Sequence, residues 1–231
     1  MALLLHIDTA TEQAGVYLSE NNKLIAEEKS FEQKNHASFL QPAIQKIFQQ
    51  HKKNLQSIDA VSIVNGPGSY TGLRVGLASA KGICYTLNKP LIALNTLEVM
   101  ADSIHNNIQN SLSQSKNELP VLYCPMIDAR RMEVYTALYH QNMQIAFEPT
   151  ALILDEQSFF NELNNHYIIF SGNGNHKFKQ IMKHSNAVFT DINYLPQNII
   201  SLSEKAFKNN NFIDLAYSEP YYFKQFYTPF K

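Results

Sequence analysis

Asp8 ends the apolar run Leu4-Leu5-His6-Ile7, and Asp128 ends Tyr123-Cys124-Pro125-Met126-Ile127 in the same way. An acid at a strand tip can hold a metal, or a hydrated magnesium ion at a phosphate. It can equally cap a turn: Asp8 with Thr9 and Thr11 suits that role, and Arg130 and Arg131 offer Asp128 an internal ion pair. Two later apolar runs close on glycine pairs, Gly66-Pro67-Gly68 and Gly172-Asn173-Gly174. Glycines between a strand and a helix let the backbone turn tightly and aim N–H groups along the positive end of the helix dipole, a geometry that holds phosphate. The same residues also simply make turns. Two nucleotide-binding codes are missing. No third glycine stands at the dinucleotide spacing and the next strand ends at Asn95, not at an acid; nor does Gly-Lys-Ser/Thr follow. Asp8, Gly66, Gly68, Asp128, Gly172 and Gly174 are therefore vestigial candidates for cofactor handling, and no cofactor or metal is expected at them.

Other chemistries fare worse. None of the eight histidines pairs as His-x-x-x-His, which removes a helix-borne zinc site of that kind. His36, near a helix start, reads as a capping or surface residue. Ser69 lies outside any Gly-x-Ser-x-Gly elbow, and no set of nucleophile, base and oxyanion donors can be assembled. Cys84 and Cys124 form no Cys-x-x-Cys pair and read as small buried hydrophobes in a reducing, cytoplasmic setting. Nineteen Lys+Arg against twenty Asp+Glu give a net charge of −1, so a protein that holds nucleic acid alone through its phosphates is not indicated. No apolar run is long enough to span a bilayer, and no signal segment is expected at the N-terminus.

The elements that must carry these residues follow one plan written twice. Residues 3–8, 14–18 and 24–28 read as strands, with Glu20-Asn21-Asn22 as a hairpin turn. A helix is expected over 35–51, kinked or begun at Pro42, then strand 59–65, helix 71–88 capped by Thr71, strand 90–94 and helix 96–106. The Asn/Gln/Ser-rich stretch 107–119 marks the boundary between lobes 1–106 and 107–231. The second half repeats the order with strands 121–128, 133–139 and 143–147, helix 155–164, strand 167–171, helix 175–184, strand 187–190 and helix 197–208. Hairpins followed by crossover helices predict a mixed sheet with helices on it in each lobe. The aromatic tail Glu219–Phe226 is expected to pack back onto the body.

Within helix 71–88 the small residues Gly72, Gly76, Ala80 and Cys84 recur every four positions. A glycine there costs about 0.5–1 kcal/mol relative to alanine, so something must approach closely. One reading is packing on the protein's own sheet. The other is a seam with another chain, helix 35–51 lying alongside to complete a four-helix bundle.

His6–Thr11, Asn35–Ile44, Gly66–Gly76, Asp128–Tyr135 and Gly172-Asn173-Gly174 together resemble the bacterial TsaB (YeaZ) family. Met132 departs from the glycine frequent there, and the likeness thins after about residue 140. The resemblance implies two duplicated ribonuclease-H-like lobes of the actin/Hsp70/sugar-kinase (ASKHA) superfamily, an α/β class of mixed sheets with flanking helices. It further implies a non-catalytic scaffold in making threonylcarbamoyladenosine beside the anticodon of tRNAs reading codons that start with A. The partners implied are a TsaD-like catalytic subunit and a TsaE-like ATPase, with tRNA reached only through the complex, self-association, and no membrane. His36, Leu40, Ile44, Gly72, Leu73, Arg74, Gly76 and Ala80 are the interface candidates. An ATP-dependent phosphotransferase using Asp8, Asp128 and the two glycine loops is the competing expectation, and a metallopeptidase ranks third.

Overall fold

A computed structural model describes residues 2–32, 36–112 and 119–223, with backbone alone over 109–112. In chain order the elements are β1 (Leu3–Asp8), β2 (Ala14–Glu20), β3 (Lys23–Ser30), α1 (His36–Gln50), β4 (Ala60–Val64), α2 (Tyr70–Leu87), β5 (Leu91–Leu94), α3 (Thr96–Leu112), β6 (Val121–Asp128), β7 (Glu133–His140), β8 (Ile145–Ile153), α4 (Phe160–Asn165), β9 (Tyr167–Ser171), α5 (Asn175–Ile181), β10 (Ala187–Thr190) and α6 (Pro196–Lys208). One sheet has the order β3-β2-β1-β4-β5 and the other β10-β9-β6-β7-β8. Read from the opposite edge, the second order is the first one again. In each, the strand ending on the acid lies centrally, antiparallel to the next strand and parallel to the one that ends at the glycine pair.

By contact, the described residues from Ala2 to Thr96 group with Leu195–Tyr221, and those from Leu97 to Tyr194 with Tyr222 and Phe223. The expected division at 106/107 falls inside α3. Helix α3 packs on the second sheet and α6 on the first, because each sheet has two apolar faces and its own consecutive helices cover one. In the first unit Leu3, Leu5 and Ile7 of β1 join Leu40, Ile44 and Ile47 of α1 and Leu77, Ala80 and Cys84 of α2 in one cluster. Alternation turns Leu4 and His6 to the other face. There His6 Nδ1 lies 3.2 Å from Ser203 Oγ of α6, Ser203 Oγ donates to Ser62 Oγ at 2.7 Å, and His6 Nε2 lies 2.7 Å from Ser19 Oγ. Burial lowers the His6 pKa to about 3, so the ring is neutral. The second unit follows suit: Leu122, Cys124 and Met126 pack with Leu163 and Phe178, whereas Val121, Tyr123 and Ile127 pack with Leu97, Ala101 and Ile104 of α3.

Several local details differ from the sequence reading. Pro42 lies inside α1, which neither begins nor ends there. Ser69, not Thr71, caps α2, its hydroxyl accepting from the Gly72 N–H at 3.3 Å. Helix α3 runs on to Leu112 because no Gly or Pro interrupts it, so the first part of the expected boundary loop is helical; 113–118 lie outside the described residues. Helix α4 starts later than expected, after a turn in which Ser158 Oγ donates to Asp155 Oδ1. The hairpin turn at Asn21 and Asn22 is as expected, both residues having positive φ (52° and 64°). Of the tail, Asn65 holds its start: Asn65 Nδ2 donates to Glu219 O at 2.9 Å and Tyr221 N to Asn65 O at 2.8 Å. Phe223 stacks on Tyr135, and residues 224–231 lie outside the described chain.

Candidate functional site

The glycine loop of the first unit is closed by its own neighbours. The Asp8 carboxylate accepts from Ala10 N at 3.0 Å, turning the chain so that Ala10 O meets the Ser69 N–H at 2.7 Å. Thr9 Oγ1 donates to Gly72 O at 2.7 Å. A Cβ on Gly68 would run into the Ala10 carbonyl. Glycine is needed here because another backbone fills the side-chain space, and that backbone has taken the amide a phosphate would use. Gly66 has φ +108° and leaves room for Tyr221 O, 2.8 Å from where its Cβ would stand.

The counterpart in the second unit is spent differently. Asp128 N donates to Asn173 Oδ1 at 2.8 Å, and the Asp128 carboxylate accepts from Arg130 N and from Lys177 Nζ at 2.7 Å. Lys177 also donates to Arg131 O and Glu133 O, at 2.8 and 2.6 Å. Partial desolvation pushes the Asp128 carboxyl up, but the hydrogen bonds from Lys177 and Arg130 and the lysine's charge outweigh it, and the net shift is downward. An internal ion pair was one expectation for Asp128; its cation is Lys177, and the two expected arginines are exposed. Gly172 (φ +105°) and Gly174 are occupied by close approach to Met126 and Val134, and Gly174 N donates to Met126 O at 3.1 Å.

The residues expected at a partner seam mostly face inward. Helices α1 and α2 do lie together, and Gln41 Nε2 donates to Ser79 Oγ at 3.1 Å. Gly72 and Gly76 are small because Thr9, His36 and Ile63 press on them, so the stripe faces the protein's own β1 end and sheet. Leu40, Ile44, Leu73 and Ala80 are core residues. His36 is only 3% exposed, its Nε2 3.3 Å from Glu12 O, and is no surface residue. Arg74 alone of the set is exposed, donating to Tyr70 Oη at 2.7 Å. The outward face of the pair includes Ala37, Gln41, Gln45, Thr71, Arg74, Ala78, Gly82 and Tyr85, the tyrosine 84% exposed, and a Cβ on Gly82 would meet nothing within 4 Å. Period four in the small residues could be read from the sequence; the outward Ala78 and Gly82 carried a signal only once the inward stripe was oriented.

Among the described residues no group of three or more His, Cys, Asp or Glu is placed to hold a metal, and no helix is long and apolar enough to cross a membrane. Both cysteines are buried and unpaired; desolvation pushes Cys84 up to about 11 and raises Cys124 further.

The family model described as TsaD: tRNA N6-adenosine threonylcarbamoyltransferase matches residues 25–221, most of the chain. Among relatives, tRNA threonylcarbamoyladenosine biosynthesis protein TsaB of Bacillus subtilis is 27% identical over 78% of this chain and 75% of its own length. The protein of that name from Escherichia coli K12 is 33% identical over 60% of this chain and 55% of its own length. The chain belongs to this family, on its TsaB (YeaZ) side. The solved structure of YeaZ from Pseudomonas aeruginosa superposes with a TM-score of 0.75 at 21% identity, covering 96% of this chain and all of that one (100%), which shows the shared fold. The two sheets of like strand order, each mixed and flanked by helices, are the duplicated α/β arrangement that was expected.

Proposed function

We propose that this chain is a non-catalytic subunit in forming threonylcarbamoyladenosine in tRNA, supporting a TsaD-like catalytic subunit and a TsaE-like ATPase. The carrying observation is that the groups a nucleotide-handling lobe would use are consumed internally: the Ser69 amide by Ala10 O and the Asp128 carboxylate by Lys177. The relatives' names lie in biosynthesis of that modification, and the matching family model describes the transferase itself. With a net charge of −1, tRNA is engaged by the assembly more than by this chain alone. The outward face of α1 and α2 is the docking surface in this reading, for the catalytic subunit or for a second copy of the chain. Ala37, Ala78 and Gly82 let another helix come close, and the exposed Arg74 and Tyr85 flank them.

Reconstitution tests the proposal. The purified chain alone transfers no threonylcarbamoyl group, whereas adding it to the cognate TsaD-like subunit, TsaE-like ATPase and threonylcarbamoyl donor produces modified tRNA. Transfer by this chain alone, or full activity of the other components without it, overturns the reading.

A further inference from the structure

The β6–β7 turn of the second unit sets Arg130 and Arg131 side by side in a backbone region that suits neither. Both have positive φ, 70° and 48°. Glycine, Asn and Asp fill that region at least cost, and a long side chain there is uncommon. Among the described residues outside glycine one other adjacent pair has positive φ, and it is Asn21-Asn22. The arginine turn is nonetheless firmly held. Ala129 N donates to Glu133 O at 3.0 Å, Glu133 N to Arg130 O at 3.1 Å and Arg130 N to Asp128 Oδ1 at 2.6 Å. Lys177, its side chain only 15% exposed, locks the turn from α5 by donating to Arg131 O, Glu133 O and Asp128. All these bonds use backbone, Asp128 or Lys177. Both arginines are exposed, and among the described residues neither guanidinium has a hydrogen-bond or ion-pair partner. The acids nearby along the sheet are engaged inside the fold: Asp128 by Lys177, Asp155 by Gln157 N and Ser158 Oγ, while Glu133 is half-buried. On the other flank, residues 172–190 carry Lys177, Lys179 and Lys183 and no acid, and Asp191 next in line faces His176 at 3.7 Å. Backbone strain kept where Asn or Gly would relieve it points to a use for the side chains themselves.

We propose that Arg130 and Arg131 are this chain's contact to the phosphate backbone of the tRNA, each guanidinium donating to phosphate oxygens. The inference rests on the subunit reading and deepens it, by naming where the chain touches the RNA held by the assembly. A guanidinium is a planar fork of donors that matches a phosphate, and it stays charged at any working pH. A turn fixed by Lys177 presents two of them without first having to be ordered, which lowers the entropic cost of binding. An exposed turn encloses nothing, so a small free anion gains little there, whereas a polyanion sums several such contacts. Contacts of this kind position the RNA and carry no sequence preference. Two phosphate contacts are also compatible with a chain whose net charge is −1, since they supply part of the affinity and the other subunits the rest.

The test is tRNA binding by the reconstituted assembly of this chain with its TsaD-like and TsaE-like partners, measured by filter retention of an unmodified tRNA transcript over a series of salt concentrations. The double variant Arg130→Asn with Arg131→Asn removes both guanidiniums and puts in a residue that accepts positive φ, so the chain's melting profile is expected to stay close to the parent's. Its assembly should bind tRNA about tenfold more weakly, with a salt dependence shallower by about 1.5 in log K against log salt, as for two lost phosphate contacts. Arg130→Lys with Arg131→Lys keeps the charges without the fork; it should restore the salt dependence and only part of the affinity, and it serves as the second variant should the asparagine pair melt much lower. Unchanged tRNA affinity in an intact assembly overturns the proposal. So does loss of co-purification with the TsaD-like subunit, which would assign the turn to an acidic protein surface. An assembly that binds and modifies tRNA equally well without this chain overturns the subunit reading as well, whereas one that needs the chain but ignores the asparagine pair sinks this inference alone.

Discussion

His6 shows most directly what one buried group does to the energetics. Its ring sits wholly inside the first unit among Ser19, Ser62 and Ser203, and its pKa is lowered to about 3. In the unfolded chain a histidine titrates near 6.5. Between those values the unfolded state binds the extra proton and the folded state does not, so stability falls as pH drops below about 6.5. We expect His6→Asn to flatten this dependence, by up to about 1.4 kcal/mol per pH unit, in urea midpoints compared at pH 6.5 and 5.5. Lys177→Met leaves Asp128, Arg131 O and Glu133 O without their shared donor; a loss of about 1–2 kcal/mol is expected, after allowing for the exposure of Asp128. NMR titration should then find the Asp128 carboxyl moved up toward its ordinary range. Gly68→Ala, driving a Cβ into the Ala10 carbonyl, is expected to cost about 2 kcal/mol or more in chemical denaturation, since the obstacle is backbone and cannot rotate away. Aspartates and glycines at strand ends were legible as candidates. That Ala10 and Lys177 would take their binding capacity was not, because Lys177 lies 49 residues from Asp128 and nothing local links them.

At the scale of elements, helix α2 decides between two meanings of one pattern. Gly72, Gly76, Ala80 and Cys84 recur every four residues, which announces close approach but not what approaches. In the fold the approaching groups are Thr9, His36 and Ile63, all from the same unit. Gly76→Arg is therefore expected to unfold the isolated chain, shown by loss of a cooperative thermal transition. Gly82→Arg, on the open side of the same helix, should leave the melting profile close to the parent and abolish association in analytical ultracentrifugation or co-purification with the catalytic subunit. Equal association in Gly82→Arg and the parent would remove the α1–α2 face from the proposed docking surface. Helix α6 carries the second lesson at this scale. A helix was readable here, but the burial of Ser203 against the first sheet and of Glu204 was not, since isolated polar residues on a helix ordinarily face solvent.

For the whole molecule, the two sheets are built alike, yet neither is completed by its own half of the sequence. Helix α3 covers the second sheet and α6 the first. A fragment of residues 1–106 therefore lacks the helix that seats His6 and Ser62 and leaves Leu4 uncovered. We expect that fragment to be insoluble or to lack dispersed NMR signals, while adding residues 195–221 through a flexible linker restores a cooperative transition. The sequence by itself determined the duplicated strand and helix order, the buried central strands, the Asn21-Asn22 hairpin turn and the absence of familiar nucleotide codes. Those follow from hydrophobic period, turn chemistry and spacing, which act over a few residues. Tertiary structure alone decided which backbone fills each glycine's side-chain space, which cation Asp128 meets, which way the small stripe turns and which sheet each helix covers. Such choices are made between segments far apart in the chain, where packing and charge pairing select the partner and no local pattern encodes it.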